Sequence, residues 1–171
     1  MDRVRAHIRD IKDFPIPGIV FKDITPVIKE PEALRVAIDG LCRPFEHEHL
    51  TAVAGMEARG FIFGSLVAYQ LGVGFIPLRK PGKLPYDVRS KSYDLEYGQA
   101  TLEVHADAVA PGQRILVIDD LLATGGTALA SCELLEELGA EIVSCAFMIE
   151  LAALGGRQKL GGRPVHSLLT Y

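Results

Sequence analysis

The stretch ILVIDDLLATGGTA, residues 115–128, constrains the fold more than any other part of the chain. Residues 115–118 are four consecutive apolar residues, mostly β-branched, a pattern typical of a strand buried on both faces of a parallel sheet. We expect the carboxylates of Asp119 and Asp120 to end that strand. Because ligands of open α/β sheets bind at the carboxyl ends of the strands, an acidic pair there is predicted to meet a substrate.

The turn after the acidic pair combines flexible backbone with hydroxyl groups. Gly125 and Gly126 allow φ > 0 and a close approach to a ligand. A helix is predicted directly after them, since leucines recur at helical spacing up to Leu138 and Gly139 follows. The N–H groups at its start would favour an anion. The turn is therefore either an ordinary strand-to-helix connection or a phosphate cradle made of Ala123, Thr124, Gly125, Gly126 and Thr127.

Two common nucleotide-binding motifs do not occur in the sequence. No G-x-x-x-x-G-K-[ST] is found, and the glycine spacing of residues 55–60 is followed by Phe61 in place of lysine. No G-x-G-x-x-G is found either, which removes the main dinucleotide interpretation. A strand, two acids and a phosphate loop without lysine remain. This combination resembles the phosphoribosyl-pyrophosphate (PRPP) motif of type I phosphoribosyltransferases.

Three further segments extend the resemblance, towards adenine phosphoribosyltransferases in particular. Residues 14–26 are rich in proline yet apolar, so they form either a loop packed on the core or a hood over a ligand, and they resemble the N-terminal hood of that family. Residues 57–60 resemble its pyrophosphate loop, although a surface pair of Arg59 with Glu57 is the alternative from the residues alone. Residues 92–98, SYDLEYG, resemble the end of its lid.

The resemblance implies roles for the residues of these motifs. Asp119 and Asp120 would bind the ribose hydroxyls, and no direct protein ligand of a metal is predicted beyond these two candidates. Glu96 would be the catalytic proton donor or acceptor over the purine. The other implied contacts are Ala123, Thr124, Gly125, Gly126 and Thr127 for the 5′-phosphate; Glu57, Ala58, Arg59, Arg79, Lys80 and Lys83 for pyrophosphate; Val20, Phe21, Lys22 and Leu151 for adenine; and Tyr93 and Tyr97 for the lid.

The order of apolar runs along the chain predicts the fold class. Strands that alternate with helices indicate an α/β domain with a mostly parallel twisted sheet flanked by helices, and 171 residues suit one domain, 1–171. Residues 1–30 are predicted to form the N-terminal hood or appendage, beginning with a helix over 2–12. Residues 79–99 are predicted to be a structureless, flexible lid. The other predicted elements are a helix over 32–48 and strands over 51–55, 73–78, 100–104, 141–149 and 165–169.

Composition limits the partners and the compartment. The formal net charge is −4 without a run of basic residues, which argues against nucleic acid and anionic membranes as partners. Residues 60–78 lack charge, but proline and glycines divide them, so no membrane span is predicted. Three widely spaced cysteines within apolar patterns predict reduced core residues and a cytoplasmic protein without a secretory signal.

The resemblance runs from about residue 13 to residue 171 and implies a reaction. That reaction is transfer of the 5-phosphoribosyl group from PRPP to adenine, giving AMP and pyrophosphate in purine salvage, with Mg²⁺ as cofactor and a homodimer as the assembly. Two alternatives remain. Another type I phosphoribosyltransferase, for a 6-oxopurine or another base, shares the acidic pair but should lack the hood and the LEYG lid. A non-catalytic PRPP-sensing regulator is disfavoured because no basic face or DNA-binding appendage is visible.

Overall fold

The computed structural model describes residues 1–94 and 98–171, and the chain divides into two compact units, Met1–Gly40 and Leu41–Tyr171. The first unit contains the helices α1 (Asp2–Ala6) and α2 (Thr25–Lys29), and most of α3 (Pro31–Cys42). Between α1 and α2 it contains an antiparallel pair of strands, β1 (Arg9–Lys12) and β2 (Val20–Asp23).

The helix predicted over residues 2–12 is wrong beyond Ala6. Residues 9–12 form β1 because their charges find partners across the strand pair. Arg9 donates to Asp23 at 2.7 Å, and Lys22 donates to Asp10 at 2.8 Å. Cross-strand pairs of opposite charge stabilise a two-stranded sheet, and this tertiary pairing overrides a weak helical pattern.

The second unit is built on five parallel strands. The sheet order is β4 (Gly74–Leu78), β3 (Ala52–Met56), β7 (Arg114–Leu122), β8 (Glu141–Glu150) and β9 (Val165–Thr170). Helices α4 (Arg59–Leu71) and α5 (Gly126–Glu137) pack on it, and a short helix, α6 (Gly156–Lys159), precedes β9. The predicted mixed α/β fold with a central parallel sheet is confirmed.

The central strand β7 explains how the helices are held. Ile115 and Val117 lie in a buried cluster with residues of α5, whereas a methyl of Ile118 lies against Gly64 of α4. Successive side chains of a strand point to opposite faces, so β7 contacts both helices, as its uninterrupted apolar run predicted. The prediction that Asp119 and Asp120 end the strand is wrong, since β7 continues to Leu122 and pairs with β8 as far as Glu150.

A second two-stranded sheet stands where a structureless lid was predicted. β5 (Val88–Asp94) pairs with β6 (Gln99–His105), from Val88 opposite His105 to Asp94 opposite Gln99. The sequence of β5 is largely polar, so its pattern did not indicate a strand. The strand is held by contacts with α5, since Lys91 bonds to Glu133 at 3.0 Å and to Glu137 at 2.7 Å. The prediction that the lid lacks regular structure is therefore wrong for residues 88–94.

The remaining boundaries differ from the predictions by a few residues. α3 ends at Cys42 and a short 3₁₀ turn, Arg43–Phe45, replaces the last predicted helical turn. Cys42, Cys132 and Cys145 are buried free thiols, as predicted for core residues. In the part of the chain that the structure describes, the helices fall short of the length and apolarity that crossing a membrane needs.

Candidate active site

The acidic pair meets the turn that follows β3. Asp120 is buried, with 4% of its surface exposed, and its Oδ2 accepts a hydrogen bond from Arg59 Nε at 2.8 Å. Asp119 is partly exposed, and its Oδ1 accepts the Asp120 N–H at 2.8 Å. The two segments meet because β3 and β7 are parallel neighbours, with Gly55 opposite Ile118. Arg59 thus pairs with Asp120, and the alternative pair of Arg59 with Glu57 is not formed.

The two carboxyls are electrostatically unusual. Burial raises the pKa of Asp119 well above its ordinary value, and the charge of Asp120 raises it further. Burial also raises the pKa of Asp120, against the opposing effect of the Arg59 guanidinium. Two acids this close resist carrying two full charges. Hydrogen-bond donors or positive charge from a ligand would stabilise the ionised pair, so the site favours a ligand with hydroxyl groups or cationic character.

The glycine-rich turn lies directly beside the acidic pair. Gly125 has φ = 81° and precedes α5 as its N-cap, whereas Gly126 begins the helix without a positive φ, so the prediction of positive φ holds only for Gly125. The first N–H groups of an α-helix have no partner within the helix. A cleft of about 90 Å³ opens over them. All five residues of the predicted cradle line it, together with Asp119: Ala123, Thr124, Gly125, Gly126 and Thr127.

The predicted pyrophosphate residues are organised by Glu57. Its carboxylate accepts hydrogen bonds from Arg79 Nε and Nη2, at 3.3 and 3.1 Å, and from the Lys80 N–H at 3.0 Å. The bond from Arg79, then that from Lys80, holds the pKa of Glu57 below its usual value. Arg79 Nη1 also donates to the Lys83 carbonyl at 3.0 Å. The guanidinium of Arg79 therefore shapes the basic segment 79–83.

Gly60 brings the turn before α4 into contact with residues 118 and 119 of β7. A Cβ atom at this position would lie 2.9 Å from Asp119 Oδ1 and 3.0 Å from the Ile118 carbonyl oxygen. Those distances are shorter than side chains normally tolerate, so glycine lets α4 begin this close to residues 118 and 119 of β7.

A larger cleft of about 430 Å³ joins these groups, which is within the usual range of small-molecule sites. Glu57 and Lys80 line one part of it, and Asp119 and Thr127 another. Tyr93 of β5 also lines it, and its hydroxyl lies 3.1 Å from Thr127 Oγ1. The structure thus brings together residues predicted for pyrophosphate, ribose, 5′-phosphate and lid.

Two predicted site residues, Glu96 and Tyr97, lie outside the described residues. Others are placed by the elements to which they belong. The three residues of the first unit that were assigned to adenine, Val20, Phe21 and Lys22, belong to β2. Leu151 follows β8, and its N–H donates to the Leu122 carbonyl at 2.9 Å. Ala58 is the N-cap residue of α4.

Sequence reasoning missed the support behind the glycine-rich turn. The backbone of Gly156 lies against Gly125, because a Cβ on Gly125 would come within 2.6 Å of the Gly156 carbonyl oxygen. Close by, Glu150 is buried and bonded to Arg157. A glutamate at the end of an otherwise apolar strand was the available signal, because an acid in such a position needs a partner.

Known proteins are similar to this chain in sequence and in fold. Residues 35–160 match the family model of the phosphoribosyl transferase domain. The adenine phosphoribosyltransferase of Methylococcus capsulatus is 68% identical over 171 residues, covering 100% of both chains. The crystal structure of the Thermoanaerobacter pseudethanolicus adenine phosphoribosyltransferase has a TM-score of 0.97 at 50% identity, covering 99% of each chain.

A structure with bound ligands is also similar. The adenine phosphoribosyltransferase of Saccharomyces cerevisiae, crystallised with D-2,5-dideoxy-2,5-imino-altritol 1,6-bisphosphate and adenine, has a TM-score of 0.93 at 37% identity. The similarity covers 98% of this chain and 97% of the yeast chain. Sequence identity and fold thus agree, and the chain belongs to the adenine phosphoribosyltransferase family.

Proposed function

We propose that the chain transfers the 5-phosphoribosyl group from PRPP to adenine, giving AMP and pyrophosphate, at the crevice between the ends of β3 and β7. The observation that carries the proposal is the acidic pair Asp119 and Asp120 beside the glycine-rich turn, with Glu57 and Lys80 in the same cleft. PRPP has a phosphate, a sugar with two free hydroxyls and a pyrophosphate in that order. In this proposal the phosphate cradle (residues 123–127), the carboxylates of Asp119 and Asp120, and the basic segment 79–83 bind these three parts of PRPP in the same order.

The acidic pair would act where charge develops in the reaction. As the bond from ribose C1 to the pyrophosphate oxygen breaks, the sugar gains positive charge and pyrophosphate leaves with the bonding electrons. A ring nitrogen of adenine forms the new bond to C1 and the base loses a proton. Asp119 and Asp120 accept hydrogen bonds from the 2′ and 3′ hydroxyls, and their negative charge stabilises the cationic sugar. Burial beside the crevice strengthens this effect.

The two anion sites would hold the ends of PRPP. Thr124, Thr127 and the first N–H groups of α5 bind the 5′-phosphate. Lys80, Lys83 and the turn containing Ala58 and Arg59 bind pyrophosphate. Arg79 has a supporting role in this proposal, since its guanidinium bonds to Glu57 and to the Lys83 carbonyl. The assignments of Val20, Phe21, Lys22 and Leu151 to adenine stay predictions from the resemblance.

The donor atoms at the crevice fit magnesium. Asp119 and Asp120 offer carboxylate oxygens, the ligands that this hard cation prefers. Among the described residues no group of three or more acidic, histidine or cysteine side chains could enclose a metal. The proposed ion is held mainly by substrate oxygens and water. Asp119 and Asp120 are the residues that would hold it, directly or through the ribose hydroxyls. The bound ion would supply positive charge to the leaving pyrophosphate.

An assay with PRPP and each of adenine, hypoxanthine and guanine tests the proposed reaction. We expect AMP from adenine and little product from the two 6-oxopurines. Faster turnover of hypoxanthine or guanine would instead identify a 6-oxopurine enzyme. Binding of PRPP without turnover of any base would support the sensing alternative.

The phosphate cradle predicts a difference between AMP and adenosine. AMP should raise the unfolding temperature of the wild-type protein because it binds only the native state, and adenosine should raise it far less. Gly125→Ala should lose the AMP effect, since the new Cβ would collide with the Gly156 carbonyl oxygen at φ = 81°. Gly126 is a weaker target, because a Cβ there has only ordinary contacts.

A matched glycine provides the control for this measurement. Gly112 has φ = 82°, and a Cβ there would meet no atom within 4 Å. Gly112→Ala therefore has the same backbone strain without touching the turn, and it should keep the AMP effect. Equal temperature shifts by AMP and adenosine in the wild-type protein would contradict the phosphate site.

We also propose a homodimer in the cytoplasm. The α4 residues Leu66 and Tyr69 expose apolar surface, with 85% of Tyr69 accessible, and a second copy would cover such surface. Three buried free thiols suit a reducing compartment. Light scattering should give twice the mass of the chain, and a monomer at micromolar concentration would count against the dimer.

A further inference from the structure

An ion pair between the buried Glu150 and the exposed Arg157 lies behind the glycine-rich turn. Glu150, the last residue of β8, is 6% exposed, and Arg157 of α6 donates two hydrogen bonds to it. The distances are 2.9 Å from Nε to Oε1 and 2.6 Å from Nη2 to Oε2. Ser167 of β9 donates to the same carboxylate at 2.8 Å, and Arg157 Nη1 donates to the Val165 carbonyl at 2.9 Å. This arrangement of the Arg157 guanidinium around the Glu150 carboxylate, called the fork below, thus joins β8, α6 and β9.

This geometry is more specific than charge neutralisation requires. Both carboxylate oxygens and three guanidinium nitrogens are used, so lysine could not reproduce the contact. The hydrogen bonds from Arg157, against the opposing effect of burial, keep the pKa of Glu150 below its usual value. α6 has only four residues and little apolar surface, so the fork is a main determinant of its position.

The position of α6 reaches the phosphate turn through direct backbone contact. A Cβ on Gly125 would lie 2.6 Å from the Gly156 carbonyl oxygen and 3.0 Å from Gly156 Cα. A Cβ on Gly156 would collide in return with the Ala123 carbonyl oxygen and lie 2.9 Å from Leu122 Cδ1. Because no side chain separates the two backbones, a displacement of Gly156 must displace the turn.

We propose that Glu150 and Arg157 form a positioning pair for the 5′-phosphate site. The pair holds α6 so that the Gly156 backbone supports residues 123–125 in their phosphate-binding form. Neither side chain lines the clefts at the acidic pair, so their effect on the reaction passes through Gly156. The inference rests on the proposed function, because it needs the turn at Thr124 and Thr127 to bind the phosphate of PRPP and AMP.

A second fork in the same unit provides a matched control. Arg163 donates to Glu136 from Nε at 2.9 Å and from Nη2 at 2.7 Å, and from Nη1 to the Leu160 carbonyl at 3.0 Å. It ties the end of α5 to the segment before β9 and lines neither cleft at the acidic pair. Loss of this fork should lower stability without altering the phosphate turn.

The experiment compares Arg157→Lys with Arg163→Lys in the full-length protein. We expect Arg157→Lys to raise the KM for PRPP by about tenfold, as for loss of one strong charge-assisted contact, with kcat and the KM for adenine changed less than about twofold. The AMP-induced rise in unfolding temperature should shrink, and the smaller adenosine effect should persist. Arg163→Lys should keep the wild-type KM for PRPP and the wild-type AMP effect.

Ser167→Ala covers the case in which Arg157→Lys does not fold. It removes one hydrogen bond to Glu150 and leaves the fork, so a smaller rise in the KM for PRPP, about two- to threefold, is expected. An unchanged KM for PRPP in the folded Arg157 variant, or equal changes in the two arginine variants, would overturn the positioning role. Equal AMP and adenosine effects in the wild-type protein would overturn the phosphate site itself, and the inference with it.

Discussion

Asp119→Asn is expected to lower turnover by roughly ten- to a thousandfold while raising the unfolding temperature at neutral pH. The loss of turnover follows from removing negative charge beside the sugar. The gain in stability follows from the raised pKa of Asp119, which burial and the charge of Asp120 cause. A carboxyl whose pKa is raised in the folded state holds its proton more tightly there than in the unfolded chain. Its contribution to stability is therefore lost as pH rises through the folded pKa.

The pH dependence separates these two effects. The stability advantage of Asp119→Asn should be present at neutral pH and vanish in acid, where the carboxyl is protonated in both states. Thermal unfolding of both proteins across this range, beside steady-state kinetics, makes the comparison. Asp120→Asn is the comparison, since it removes the charge that pairs with Arg59 at 2.8 Å. It should also lose activity, but its gain in stability should be smaller, because loss of the ion pair opposes the relief of its own raised pKa. Wild-type turnover in Asp119→Asn would remove the ribose role from Asp119.

Glu96→Gln is expected to lower turnover by roughly 10²–10⁴-fold, the usual range for general acid–base catalysis. Adenine must lose a proton as its ring nitrogen attacks the sugar, and the LEYG resemblance gives Glu96 that role. The residue itself lies outside the described part of the chain. Its described neighbours Asp94 and Gln99 close the strand pair of β5 and β6, and Gln99 Nε2 donates to Asp94 Oδ1 at 3.1 Å.

Asp94→Asn is the matched control for Glu96, because it removes a carboxylate two residues away at the end of β5. It should retain most of the activity, while Glu96→Gln should lose turnover with nearly unchanged PRPP affinity. Steady-state kinetics and a separate binding measurement with PRPP distinguish the two. Parallel losses of turnover and PRPP affinity in Glu96→Gln would show that the segment serves binding alone.

The sheet and the main site were predictable because their signals are local. Four apolar residues before Asp119 indicate a strand covered on both faces, and a glycine-rich turn before leucines at helical spacing indicates where α5 begins. Parallel strands place their carboxyl ends at one edge, so the acidic pair and the Arg59 turn had to be neighbours if β3 and β7 were. The fold predicted in this way is confirmed, and so is the family that the resemblance implied.

The wrong predictions concern polar segments whose structure depends on distant partners. The strand β5 reads as a loop until Lys91 meets Glu133 and Glu137, more than forty residues later in the sequence. Residues 9–12 read as helix until β2 supplies the opposite charges. The partner of Arg59 was equally hidden, because a guanidinium near Glu57 in sequence bonds instead to Asp120. Local propensity carries no information about such pairings.

The contact between Gly60 and Asp119 has a consequence for protein engineering. The turn before α4 packs directly on residues 118 and 119 of β7, and a methyl group at position 60 would come too close to them. The turn and this part of β7 are therefore not independent modules. A graft at residues 57–60 that replaced Gly60 would need accompanying changes at residues 118–119. Sequence libraries that vary the two segments jointly should yield folded proteins more often than libraries that vary either one alone.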